Sequence, residues 1–204
     1  MVVARLGPRP AHARTRIELS AAARARLAGE LREHALVIGE VTLTSGAKAQ
    51  YLVDAKRAIL RPSGFRVLGE LVAEEAAAVG ATAVGGITMG ADPIACAALA
   101  GGADVKAFFV RKERKEHGLA RWIEGPPLEP GERCLVVEDV VTTGGSTIQA
   151  IEALHAEGLA VVGVTTVLDR LAGGGEAIAR AAGAAPYRAL CTIDEVYPER
   201  PDRA

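Results

Sequence analysis

Aromatic side chains are scarce in this sequence: three Phe, three Tyr and one Trp make up 3% of its 204 residues, so its core must be aliphatic. Cysteine is scarcer still. Cys96, Cys134 and Cys191 lie far apart among apolar residues, which excludes a readable disulfide framework or zinc site and leaves the expectation of three buried thiols in a reducing cytoplasm. Neither charge is in excess, since 24 Lys and Arg stand against 25 Asp and Glu for a net charge of -1. A protein whose main partner is a nucleic-acid backbone needs such an excess, so no nucleic-acid partner is expected. Missing too is any apolar run near the ~20 residues of a transmembrane helix, so no membrane partner is expected either. Lysine supplies only five of the 24 basic residues, and two of the five, Lys112 and Lys115, share one short stretch.

What is present is an ordinary globular balance, 50% hydrophobic and 24% charged, long enough for one large domain or a domain with a small subdomain. The first sixteen residues hold Arg5, Arg9, Arg14 and Arg16 with no acid, and residues 1–18 are expected to be a disordered leader. Ser20 caps a predicted helix running to about Leu36. Val41–Thr44 and Tyr51–Val53 then read as two short strands around Ser45–Gly46. Pro62 opens a helix that Gly80 is placed to end. Beyond it, strand-like runs (82–87, 105–110, 134–138, 161–168 and 187–193) alternate with helical ones (92–100, 145–157 and 173–182). The strands are rich in β-branched residues over continuous stretches, as strands buried on both faces are. The fold class expected is α/β, with a mostly parallel central sheet flanked by helices. Ligands of such folds bind at the carboxyl ends of the strands.

One strand end stands out. Leu135–Val137 runs into Glu138–Asp139, then Val140–Val141, then Thr142-Thr143-Gly144-Gly145-Ser146-Thr147 and a helix. Adjacent carboxylates repel each other and call for a cation or hydroxyls. The Thr/Gly/Ser run can wrap an anion with close backbone approach, hydroxyls and the free N–H groups of the helix start. Acids followed by such a cradle suit a sugar phosphate; a plain acidic turn with a Ser/Thr cap is the simpler alternative. No lysine completes a nucleotide-binding P-loop, which disfavours a nucleoside triphosphatase.

The run from Val136 to Ser146 resembles the phosphoribosyl-pyrophosphate (PRPP) motif of type I phosphoribosyltransferases. By that resemblance Glu138 and Asp139 would hold the ribose hydroxyls, and Thr142, Thr143, Gly144, Gly145, Ser146 and Thr147 the 5-phosphate. A second run, Arg111-Lys112-Glu113-Arg114-Lys115-Glu116-His117-Gly118, alone reads as a solvated charged face. It follows a buried strand, however, and positioned cations are what a departing pyrophosphate calls for. Its R-K-E-x-K-x-H-G pattern is similar to the catalytic loop of the orotate phosphoribosyltransferases. The resemblance gives Arg111, Lys112, Lys115 and His117 pyrophosphate-contacting roles, with Lys115, His117 and Asp139 nearest the chemistry. Leu168-Asp169-Arg170 matches that family's L-D-R, so Thr142 and Arg170 would contact orotate, Arg170 through a bidentate fork on its carboxylate.

The resemblance covers about residues 19–196. It implies the type I phosphoribosyltransferase fold, with residues 19–60 as an N-terminal helix and small hood and 61–204 as the PRPP-binding α/β core. Implied too are orotate and PRPP as partners in pyrimidine and UMP biosynthesis, Mg²⁺ as cofactor, and a cytoplasmic homodimer whose lid is shared across the interface. No residue is assigned as a metal ligand; Mg²⁺ would come mainly through PRPP, near Glu138 and Asp139. A phosphoribosyltransferase for another base, or a non-catalytic PRPP-sensing regulator, is the competing reading. In the hood the pattern departs at Thr44, where some members carry lysine, and at Leu52–Val53, where some carry aromatics; Lys48 or Lys56 would compensate there. The loop from Gly85 to Pro93 resembles the family's pyrophosphate loop, with Gly90 where some members carry lysine, and its backbone N–H groups would bind the anion.

Overall fold

The computed structural model describes residues 21–42, 46, 48–113 and 122–203. The expected leader, Thr44, and Lys115 and His117 of the expected lid lie outside them.

Helix α1 (Ala21–Glu30) passes into a wider π turn at Leu31–Ala35 and then directly into strand β1 (Leu36–Thr42). The strand therefore starts five residues before the predicted Val41. Its early residues extend because β2 (Lys48–Val53) pairs with them antiparallel, Val37 against Leu52 and Ile38 against Tyr51. The register slips between Ile38 and Val41, where Gly39 takes a φ of 132° that favours glycine. A short helix α2 (Lys56–Ile59) leads to α3 (Pro62–Val79), which has Pro in its first turn and ends on Gly80 in the left-handed region, as its sequence predicts.

Next come β3 (Ala83–Ile87), α4 (Asp92–Ala100), β4 (Lys106–Val110), β5 (Ile123–Glu124), β6 (Arg133–Val141), α5 (Gly145–Ala156), β7 (Ala160–Asp169), α6 (Gly174–Ala182), β8 (Tyr187–Thr192) and α7 (Ile193–Val196). The six-stranded sheet has the order β5-β4-β3-β6-β7-β8, parallel throughout except for β5 at one edge. Both faces are covered, and β6 shows why its sequence is apolar without alternation. Leu135 and Val137 pack into the cluster built with α1, α3 and α4, whereas Cys134 and Val136 pack into the one built with α5 and α6.

Two expectations need correction. Cys96 is exposed on the outer side of α4, because Ala95, Ala97 and Ala98 take the buried positions around it; only Cys134 and Cys191 are buried. Strand β6 runs three residues beyond Glu138, because β7 continues alongside to Asp169 and pairs with Val140 and Val141. The acid pair thus lies inside a hydrogen-bonded strand.

The chain enters the sheet at β3, adds β4 on one side, and then crosses to β6 on the other. That reversal puts a topological switch point between β3 and β6, where open α/β sheets bind ligands. Pairing between these strands ends at Gly85 and Val136, so a crevice opens ahead of Glu138 and Asp139.

Candidate active site

Glu138 and Asp139 sit at the floor of this crevice. Glu138 is 5% exposed, and its Oε2 accepts the Ser146 hydroxyl at 2.6 Å and the Thr147 hydroxyl at 3.2 Å. Burial pushes its carboxyl up to about 7; the Ser146 bond opposes that rise and the neighbouring Asp139 carboxylate reinforces it. Asp139 Oδ1 accepts the Val140 N–H at 2.9 Å, and Oδ2 accepts the Lys56 ammonium at 2.8 Å.

Beyond the acids, Thr142 and Thr143 turn the chain and Gly144, at φ 83°, starts α5. A Cβ on Gly144 would stand 2.9 Å from Ile178 Cγ1 and 3.0 Å from the Gly174 carbonyl, so the left-handed turn and its close packing both require glycine. Ile148 N–H is the first to bond back, to Gly144 O at 2.9 Å. The N–H groups of Gly145, Ser146 and Thr147 precede that bond, so they lie outside the helix's own ladder and are able to face an anion.

The loop after β3, Thr88 to Ala91, crosses the same crevice. A Cβ on Gly90 would stand 2.5 Å from Asp139 Oδ1 and 3.0 Å from Glu138 Oε1, so the backbone passes close over both acids. A cavity of about 380 Å³ lies between Thr88 and the end of β4, where Arg111 and Lys112 begin the cationic run. Arg111 pairs with Glu124 at 3.2 Å, and its Nε is buried with no hydrogen-bond partner. The Lys112 carbonyl accepts Gln149 Nε2 at 3.0 Å, which ties the start of the cationic run to α5.

Arg170 follows β7 in a turn held by Asp169, whose carboxylate accepts the Leu171 N–H and the Tyr187 hydroxyl, each at 2.7 Å. Its guanidinium stacks over the Tyr51 ring, 5.0 Å from the centroid, and donates to the Tyr51 hydroxyl at 3.0 Å. Asp202 also meets that hydroxyl, at 3.0 Å. Arg170 Nε is buried without a partner. The structure thus gathers Glu138, Asp139, the loop from Thr142 to Thr147, Arg111 and Lys112 around the carboxyl ends of β3, β4 and β6, and sets Arg170 against the hairpin of β1 and β2.

Sequence reasoning left Lys48 and Lys56 level; geometry separates them. Lys48 pairs with Glu40 across the hairpin at 2.7 Å, while Lys56 bridges Asp54 at 3.1 Å and Asp139 at 2.8 Å. Asp169 and Tyr51 were missed as positioning residues for Arg170. Tyr51 is one of only three tyrosines, the one sequence signal that marks it.

The family model for the phosphoribosyl transferase domain matches residues 64–181. An orotate phosphoribosyltransferase from Corynebacterium glutamicum is 49% identical over 179 residues, covering 87% of this chain and 96% of that one. The chain belongs to the orotate phosphoribosyltransferase family. Among solved members, the Mycobacterium tuberculosis enzyme in complex with Fe(III) dicitrate superposes with a TM-score of 0.77 at 43% identity, over 86% of this chain and 99% of that one. The same enzyme in complex with PRPP superposes at 0.70 and 36% identity, over 87% and 93%. The type I fold of this family is the architecture described above. Strands β3 to β7, the switch point and the acid pair all fall within residues 64–181.

Proposed function

We infer that this member of the orotate phosphoribosyltransferase family transfers the phosphoribosyl group of PRPP to orotate, giving orotidine 5-monophosphate and pyrophosphate in pyrimidine biosynthesis. The observation that carries the reading is the acid pair at the switch point, followed within one strand end by an anion cradle. Orotate N1 gives up its proton to solvent and forms a bond to C1 of the ribose as the C1–oxygen bond to pyrophosphate breaks, the electron pair of that bond leaving with pyrophosphate.

In this reading Glu138 and Asp139 take the ribose hydroxyls, and the loop from Thr142 to Thr147 takes the 5-phosphate. Arg111, Lys112, Lys115 and His117 stabilise the charge that grows on pyrophosphate, which is where positioned cations lower a barrier most. Arg170 takes the orotate carboxylate, with Thr142 beside it. No side chain is needed as a nucleophile; catalysis is by positioning and electrostatics.

Among the described residues no group of three or more His, Cys, Asp or Glu could cage a metal ion. In this reading Mg²⁺ would come mainly through the oxygens of PRPP, near Glu138 and Asp139. When bound, it neutralises part of the pyrophosphate charge. Among the described residues no helix is long and apolar enough to cross a membrane. We assign the enzyme to the cytoplasm and its working form to a homodimer with a shared lid. The test is orotate's ultraviolet absorbance, which falls when PRPP, Mg²⁺ and pure protein are combined. Turnover of a purine with none of orotate would instead assign another base.

A further inference from the structure

We propose that Lys56 is a positioning residue for the sugar: reaching from the hood, its ammonium holds Asp139 in the orientation that receives the ribose and so ties the hood to the PRPP-binding core. The inference rests on the reading of Asp139 as a ribose ligand.

Lys56 stands on a firmly built turn. Its own N–H meets Asp54 Oδ1 at 3.3 Å, the Asp54 N–H bonds the Ala35 carbonyl at 3.0 Å, and Ala55, Ala58 and Ile59 around it are fully buried. The ammonium then bridges Asp54 and Asp139. Burial works against its charge, but the two carboxylates outweigh that and raise its pKa above that of an ordinary lysine.

Asp139 needs such a partner. It is next to another carboxylate, and repulsion between the two favours turning one aside or protonating it. Among the described residues no other cation meets either acid. The loop after β3 brings none, and Gly90 leaves no room for a side chain there without striking Asp139. The hood is thus the element that supplies the charge. Holding does not consume the acceptor: an ionised carboxylate has about four lone-pair sites, and Val140 N–H and Lys56 occupy one on each oxygen. The sites left over remain open to ribose hydroxyls.

The experiment is a double-mutant cycle on PRPP binding by calorimetry with Mg²⁺ present, using Lys56→Gln, Asp139→Asn and the double variant, with Lys56→Arg as the charge-retaining control and melting curves to verify folding. Lys56→Gln should weaken PRPP about tenfold or more, the scale of a lost charged hydrogen bond, and raise its KM more than it lowers kcat. Lys56→Arg should recover most of that loss. In the Asp139→Asn background, Lys56→Gln should cost almost nothing further, because its partner is already gone. Unchanged or tighter PRPP binding by Lys56→Gln, or two losses that multiply independently, would overturn the proposal while leaving Asp139 its role. Full PRPP affinity in Asp139→Asn alone would remove the ribose-site reading, and the Lys56 inference with it.

Discussion

Ser146 and Thr147 direct their hydroxyls at Glu138, so in this structure the loop from Thr142 to Thr147 is latched to the acid it follows. Burial makes that acid a weak one. A carboxyl whose pKa is raised by folding, here from 4.5 to about 7, contributes stability that is fully present below about pH 4.5 and is lost as the pH rises through about 7. Glu138→Gln removes the charge and keeps an acceptor for Ser146. It should therefore be more stable than the parent protein at pH 8, by up to about 3 kcal/mol, with the gain vanishing as the pH falls toward 4.5. A gain that stays constant across that range in melting curves would contradict a titrating Glu138. Arg170 offers the second residue-scale test. In its proposed role, Arg170→Ala should raise the KM for orotate about tenfold or more while PRPP binding changes little, because a carboxylate loses a charged donor. Equal weakening of both substrates would mark Arg170 as a support for Tyr51 alone.

At the scale of elements, the start of α5 is where local backbone and chemistry meet. Gly144→Ala must place a Cβ at φ 83° against Ile178 and the Gly174 carbonyl. Strain of this kind costs about 1–3 kcal/mol, and relieving it shifts the N–H groups of the following turn. The melting temperature should drop and the KM for PRPP should rise together; a variant with altered stability and an unaltered KM would show that the cradle does not bind PRPP. Helix and strand periods in the sequence place α3, α4, α5 and α6 within a residue or two, since buried runs and Pro or Gly boundaries act locally. The end of β6 was not legible, because strand length there depends on how far β7 continues beside it. The π turn at Leu31–Ala35 was not legible either: its helical composition gives way to the pairing of Leu36 and Val37 with Val53 and Leu52.

Across the whole molecule, the order of strands matters more than any one of them. The switch between β3 and β6 brings residues near 90, 139 and 145 into one crevice, and the hood reaches over it through Lys56. The proposed homodimer places a further demand on this architecture, a lid that completes a neighbour's site. Lys115→Ala should lower kcat roughly 10²-fold, as the loss of a transition-state donor does, and Asp139→Ala should disable the ribose site. In a mixed dimer one pocket is whole and meets a whole lid. After random subunit exchange about half the dimers are mixed, so about a quarter of the parent activity should return under closed two-fold symmetry. Exchange verified by mass with no recovered rate would place the lid over its own subunit.

The sequence by itself determined the α/β class, the aliphatic core and the Glu138–Thr147 signature, because each is written in neighbouring residues whose spacing follows the period of a strand or the needs of a turn. It also determined which cations were unusual, since five lysines among so many arginines are visible by counting. Only the tertiary structure decided between Lys48 and Lys56, set Tyr51 under Arg170, and turned Cys96 outward. Those outcomes depend on contacts between residues 83 or 119 positions apart, or on which side of a helix the core happens to cover. Sequence spacing carries no signal for such distances; the path of the sheet sets them.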